Sequence, residues 1–282
     1  GETSWVGRDG RNGLPGSLGQ GLVAWWNFDE PGGSDPLLAS FAQIEDASLL
    51  TAQPVNGAGM STVPGIIGGA RRFDGASCLK IDSEATRGDG VLNQNTRDFS
   101  MSLWIKGEED HSGSHERVWS KAGGWSNAND GFGIQFNPNR WDHPYFRIQV
   151  GSDASEVTTP EATIPLGEWV HLVATVNRET SIKLYVNGEL SATFDDSGLA
   201  GQELNSEMPM TFGCVAPDGN EGEFFVGSTD NAGLWSRELT AEEVASLHND
   251  GAGIAYRQPE AYESGYLYDV WRDAATFGVA PR

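Results

Sequence analysis

The sequence predicts an all-β fold: a two-sheet antiparallel β-sandwich with one short helix near its C-terminal side. Three observations carry this. A dozen or so short apolar or alternating runs are separated by Gly-, Asn- and Pro-rich loops. Asn187-Gly188 sits between two alternating runs and is the pair that best marks a two-residue hairpin turn. Helical periodicity occurs once, at 241–249.

In chain order, GLVAWWNFDE (21–30) is a short apolar run ending in acidic residues. Residues 31–68 are rich in Gly, Pro, Ser and Asn and read as long loops, and GGARRFDGASCLKID (68–82) reads as two short strands about a glycine turn. In DFSMSLWIKG (98–107), Phe99, Met101, Leu103 and Ile105 share one face while Ser100, Ser102, Trp104 and Lys106 share the other. RVWSK (117–121), GFGIQF (131–136) and YFRIQV (145–150) follow as strands. Within 168–194, Val170, Leu172, Ala174 and Val176 alternate before the turn, and Ile182, Leu184 and Val186 line one face of the next strand. MTFGCV (210–215) and EFFVGSTDNAGLWSREL (223–239) close the series; Trp104, Trp169 and Trp235 lie in strands as packing residues. Thr240 with Glu243 forms a capping box, Val244 and Leu247 give the apolar stripe, and Gly251 is the stop.

With 40 Asp and Glu against 18 Lys and Arg, the net charge of −22 repels phosphate backbones and anionic membrane surfaces. The expected partners therefore exclude nucleic acid, and no stretch approaches the roughly 20 apolar residues of a membrane span. Cys78 and Cys214 lie in strand-like runs without zinc-site spacing; they pair as a disulfide if the chain is exported, or are otherwise two small buried hydrophobes.

Five stretches, in this order, carry a family resemblance: GLVAWWNFDE, GGARRFDG, DFSMSLWIKG, PLGEWVHLVATVNRETSIKLYVNGEL and FFVGSTDNAGLWSRELTAEEVASLHNDG. They resemble the laminin-G-like jelly roll of the concanavalin-A-like lectin/glucanase superfamily over residues 21–255. The last motif departs from the family's usual Ile-Asp-Glu-Val core, reading Thr229-Asp230-Asn231-Ala232. The resemblance implies two face-to-face sheets of about six strands each. It also implies a structural Ca2+ held by Asp29, the Gly75 carbonyl and Asp230, because calcium takes hard oxygen ligands from acidic loops.

Hydrolases on this fold set two carboxylates on one strand across the scissile bond, and no strand here carries such a run. His111 and His115, with Glu116 adjacent, fall in a Gly- and Ser-containing loop and read as solvated, so the chain is expected not to be an enzyme. Sugar binding needs an aromatic face beside amide or carboxylate groups. The loop-like stretches 123–131 and 137–146 supply these in Trp125, Asn127, Asn129, Asp130, Trp141, Asp142 and His143.

Residues 7–19 carry glycine at every third position, as a collagen triple helix requires, so 1–20 reads as a Gly-x-y leader ahead of the domain at 21–255. The aromatic-rich extension 256–282 packs on its own sandwich or on a neighbour. The resulting expectation is a recognition or adhesion head that binds glycan or surface protein, in a homo-oligomeric, trimeric assembly outside the cell, at a cell surface or on a virion. A purely structural fibre or capsid subunit, and a polysaccharide-degrading enzyme or its binding module, are the alternatives.

Overall fold

The computed structural model describes residues 13–108, 115–123, 130–137, 140–161, 163–215 and 221–257. In chain order the strands are β1 (Leu22–Trp26), β2 (Phe41–Ala42), β3 (Gln53–Val55), β4 (Ser61–Pro64), β5 (Gly69–Asp74), β6 (Cys78–Ile81), β7 (Phe99–Gly107) and β8 (Glu116–Lys121). They continue as β9 (Gly131–Asn137), β10 (Arg140–Val150), β11 (Asp153–Thr158), β12 (Val170–Asn177), β13 (Ser181–Val186), β14 (Glu189–Asp195), β15 (Met210–Phe212) and β16 (Val226–Trp235). The helix α1 spans Ala241–His248.

The strands form two antiparallel sheets. One has nine strands in the order β14-β13-β12-β7-β16-β1-β2, with β5 also paired to β16 and β4 to β5. The other has seven in the order β11-β10-β9-β8-β15-β6-β3. Between them lies one apolar core, to which β7 contributes Phe99, Met101, Leu103 and Ile105, and β12 contributes Val170, Leu172, Ala174 and Val176. Trp26 is its centrepiece, edge-on to Trp119 at 5.9 Å and to Phe212 at 5.3 Å, with its indole N–H donated to the Leu50 carbonyl at 3.0 Å. Such pairs add about 0.5–1.5 kcal/mol beyond area burial, and the hydrogen bond removes the cost of a buried polar group.

The hairpin turn is where the sequence places it: Asn187 and Gly188 both take positive φ, 50° and 83°. The capping box also forms, with Thr240 and Glu243 bonding each other's backbone N–H, while Asn249 ends the helix in the left-handed region. Cys78 and Cys214 are joined in a fully buried disulfide that ties β6 to the segment after β15.

Two regions depart from the expectation. Residues 31–68 contain β2, β3 and β4 as well as loops. These strands have two to four residues each, and their partners specify them: Ala42 pairs Ala24, and Val63 pairs Ala70. The described half of the Gly-x-y stretch is not collagen-like. Gly16 takes φ +61°, Gly16–Gly19 form a 3₁₀ turn, and Leu14 and Leu18 are buried. A collagen strand needs extended, left-handed-helical backbone throughout and side chains free to face two other chains. Here Ser17 Oγ bonds Glu243, Trp235 donates its indole N–H to the Leu18 carbonyl, and Arg237 reaches the Ser17 and Gln20 carbonyls. Residues 13–20 thus belong to the folded unit, while 7–12 and the tail from 258 lie outside the described residues.

This segment, α1 and Tyr256 cover the outer face of the nine-stranded sheet. A second apolar cluster forms there from Leu14, Leu18, Leu22, Trp25, Val173, Tyr185, Trp235, Leu239, Val244, Leu247 and Tyr256. For this reason Ser100, Ser102 and Trp104, on the outward face of β7, are buried too.

Candidate functional site

The outer face of the seven-stranded sheet is built differently. On β10, Phe146 and Ile148 point into the core, so strand alternation turns Tyr145, Arg147 and Gln149 outward. Register then sets Gln135 of β9 between Tyr145 and Arg117 of β8, and Gly133 between Arg147 and Ser120. Gly131 lies opposite Gln149. The two glycines let β8 lie close against β9: a side chain on Gly131 would collide with Ala122 and the Lys121 carbonyl, and one on Gly133 with the Trp119 carbonyl and Ser120.

The polar groups are tied in pairs. Arg117 Nε donates to Glu223, Arg147 Nη1 lies 3.5 Å from Glu156 of β11, and Arg147 Nη2 donates to Gln149 Oε1 at 3.1 Å. The Tyr145 hydroxyl meets His115 Nδ1 at 3.2 Å. Burial pushes the Tyr145 phenol above its usual range, with the Arg117 charge opposing, and burial pulls the Arg117 guanidinium down against the Glu223 charge. Arg117, Gln135, Ser120 and Tyr145 are buried, whereas Arg147, Glu156, His115 and Glu223 are partly exposed and form the rim. Each rim carboxylate is held by a guanidinium, unlike the apolar pocket in which a general acid keeps its proton. The arrangement can present neutralised charge pairs, an amide and hydroxyls to a ligand.

Of the expected glycan residues, Asp130, Asp142 and His143 are described, and they lie at opposite ends of this face. Asp130 precedes β9, where its Oδ1 accepts the Gly151 N–H at 2.7 Å and ties the loop before β9 to the β10–β11 turn. Asp142 and His143 lie beyond the other end of β9, about 20 Å away by strand rise. They are not loop residues: β10 begins at Arg140 and includes Trp141, Asp142 and His143, with an irregular register between Arg140 and Pro144. His143 is buried and contacts Asp142 Oδ1 at 2.8 Å, and the Asp142 carbonyl accepts the Thr163 and Ile164 N–H groups. Trp125, Asn127 and Asn129 lie outside the described residues. The sequence reading missed Arg117, Gln135, Tyr145, Arg147, Glu156 and Glu223. The period-two pattern Tyr145-Arg147-Gln149 was the available signal.

The expected calcium ligands are not brought together. Asp29 and Asp230 both face the loop 65–69: Asp29 Oδ1 accepts the Gly69 N–H, and Asp230 Oδ2 accepts the Ile66 and Ile67 N–H groups. Asn231 Nδ2 donates to Asp230 Oδ1 at 2.9 Å. Gly75 is at the far end of β5, six residues beyond Gly69 and about 20 Å away by strand rise. A calcium shell needs oxygens directed at one point, whereas N–H donors occupy both Asp230 oxygens, so these residues do not fit the ion. No group of three or more His, Cys, Asp or Glu among the described residues could hold a metal. Burial, aided by the Asp29 charge and opposed by the loop N–H groups, holds the Asp230 carboxyl up at about 7.

Known proteins share this architecture. Residues 80–245 match the Concanavalin A-like lectin/glucanases superfamily. Over 187 residues, 64% of this chain, the sequence is 25% identical to the botulinum-like toxin eBoNT/J of Enterococcus sp. (strain 3G1_DIV0629), and it spans only 13% of that toxin's length. Among solved structures, domain 4 of AbnA, a GH43 extracellular arabinanase from Geobacillus stearothermophilus in complex with arabinotriose, is similar with TM-score 0.56 and 19% identity. That likeness covers 80% of this chain and 98% of the domain. The receptor binding domain of botulinum neurotoxin D is similar with TM-score 0.58 and 16% identity, covering 82% of this chain and 53% of the domain. With its two antiparallel sheets and a match across more than half its length, the chain belongs to the concanavalin A-like lectin/glucanase superfamily.

Proposed function

We propose that this chain is a non-catalytic recognition head that binds glycan on the outer face of its seven-stranded sheet. One observation carries this reading. Among the described residues, this face directs the polar side chains Arg147, Glu156, His115 and Glu223 to a partly exposed rim, whereas an apolar cluster under α1 and residues 14–18 covers much of the other outer face. Hydroxyl-rich ligands bind where preset donors and acceptors meet an aromatic surface, and Trp125 and Trp141 are the residues expected to supply it, Tyr145 being buried. The arabinotriose bound by one similar domain and the receptor binding of another support the reading at the level of fold. The buried disulfide suits an oxidising compartment, so the head works outside the cell. Trimeric display rests on the leader alone, and light scattering of the intact chain tests it.

The experiment is titration calorimetry with arabinotriose and with hits from a glycan array. Arg147→Ala, Glu156→Ala and Trp141→Ala should each weaken binding at least tenfold while leaving the far-UV spectrum unchanged. Full binding in all three variants would move the site elsewhere.

A further inference from the structure

Three rings stack on the outer face of the nine-stranded sheet. Trp104 of β7 and His171 of β12 are register partners, with ring centroids 4.9 Å apart. His248, the last residue of α1, lies on both: 5.5 Å from Trp104 at 25° and 6.0 Å from His171 at 20°. His171 is 1% exposed; its Nε2 bonds Ser102 Oγ at 2.8 Å, and its Nδ1 has no partner. We propose that this stack is an acid-operated latch, which holds α1 and the following segment over the sheet at neutral pH and releases them in acid.

The argument rests on satisfiability. Neutral imidazole has one N–H to place, and with Nε2–H donated to Ser102 Oγ only the acceptor lone pair of Nδ1 goes unpaired. A second proton would create a buried N–H with no acceptor, next to a second imidazole. The groups that face the stack offer no relief. From β7 these are Ser102 and Trp104. From β16, Asp230 pairs with Trp104 in register, but its carboxylate is turned to the loop 65–67. From the β13–β14 turn, Asn187 Oδ1 accepts the His171 backbone N–H, and Gly188 lies against the His248 ring. Glu189 and Asp250 act on His248, not on His171. Charging His171 therefore requires opening, and its removable cover is the end of α1.

Burial, with the His248 charge adding to it, lowers the His171 imidazole to about 3 from an ordinary 6.5. Protons thus bind the open state in preference, so closure is secure above 6.5 and is lost progressively as pH falls towards 3. At pH 5 the opening equilibrium should rise about 30-fold. Opening would uncover part of the apolar cluster beneath α1, Val173 and Tyr185 among it.

Hydrogen exchange of the intact chain at pH 7.5 and 5.0, corrected for intrinsic rates, tests this. Protection across 241–257 should fall about 30-fold at pH 5.0, with β9 and β12 unchanged. His171→Phe, which keeps a ring but no titrating group there, should remove most of the fall, leaving only the part that His248, itself lowered by burial, supplies. Should that variant not fold, His171→Gln, which keeps a polar contact to Ser102, serves the same purpose. No fall in the wild type, or an equal fall in the foldable variant, would overturn the latch.

Discussion

The two outer faces of the sandwich are made by the same rule and end in opposite states. On both sheets every second residue points away from the core. Over the nine-stranded sheet these residues meet Leu14, Leu18, α1 and Tyr256, and an apolar cluster results. Over the seven-stranded sheet they are Arg117, Gln135, Tyr145, Arg147 and Lys80, which pair with Glu223, Glu156 and Glu221. Strand alternation alone does not decide whether a face becomes a second core or an open polar surface. What the rest of the chain lays over it does.

The largest test breaks the closed face. Trp235 is fully buried, packs edge-on to Trp25 at 5.9 Å and bonds the Leu18 carbonyl, so Trp235→Ala should cost about 3–5 kcal/mol in urea unfolding. A loss under about 1 kcal/mol would mean that the cover contributes little. Next, the Cys78–Cys214 disulfide closes a span of 136 residues. Cys78→Ala with Cys214→Ala should lower stability by about 2–5 kcal/mol, measured against the oxidised chain.

A smaller effect separates loop anchoring from metal binding. The Asp230 carboxyl is raised in the fold, so its contribution is fully present below about 4 and is lost as pH rises through about 7. Asp230→Asn should flatten that slope by about 2 kcal/mol: the amide oxygen can accept from Ile66 and Ile67, and Asn231 can flip its amide, whose Oδ1 has no partner, toward the new NH2. A chelator should leave the melting temperature unchanged, and a shift of more than about 5 °C would restore a metal to this loop. The smallest stability effect belongs to the open face. Arg147→Ala and Glu156→Ala remove one partly exposed ion pair and should each change stability by less than about 1 kcal/mol, so their effect on glycan binding reads recognition alone.

Much of the fold was legible because local rules and tertiary pairing agree. β7, β12 and β13 alternate cleanly, Asn187-Gly188 has the residues its positive φ angles need, and Thr240 with Glu243 announces the helix. What was hidden depended on distant partners. β2 and β4 are too short to carry a period, and Leu14 and Leu18 look like leader residues until Trp235 and Glu243 hold their segment. The candidate site was half legible. Asp130 and Asp142, at its two ends, stood out by composition, but Arg117, Gln135 and Tyr145 are brought together only by strand register. Within the altered Thr229-Asp230-Asn231-Ala232 core, Asn231 sits in the bulge between Asp230 and Gly233 and takes φ +45°, a conformation asparagine tolerates well.

The packing of residues 13–20 also has a mechanical consequence. Gly13 and Arg257 touch so closely that a side chain on Gly13 would collide with the Arg257 carbonyl. Tension carried through the chain on either side of this point would pull two adjacent strands of backbone apart at one spot. It would peel the Ser17–Glu243 and Phe41–Tyr256 contacts one after another, like a zip, before any load reached the sheets. Under force this contact would be the fuse, and the seven-stranded sheet lies on the far side of the sandwich from it.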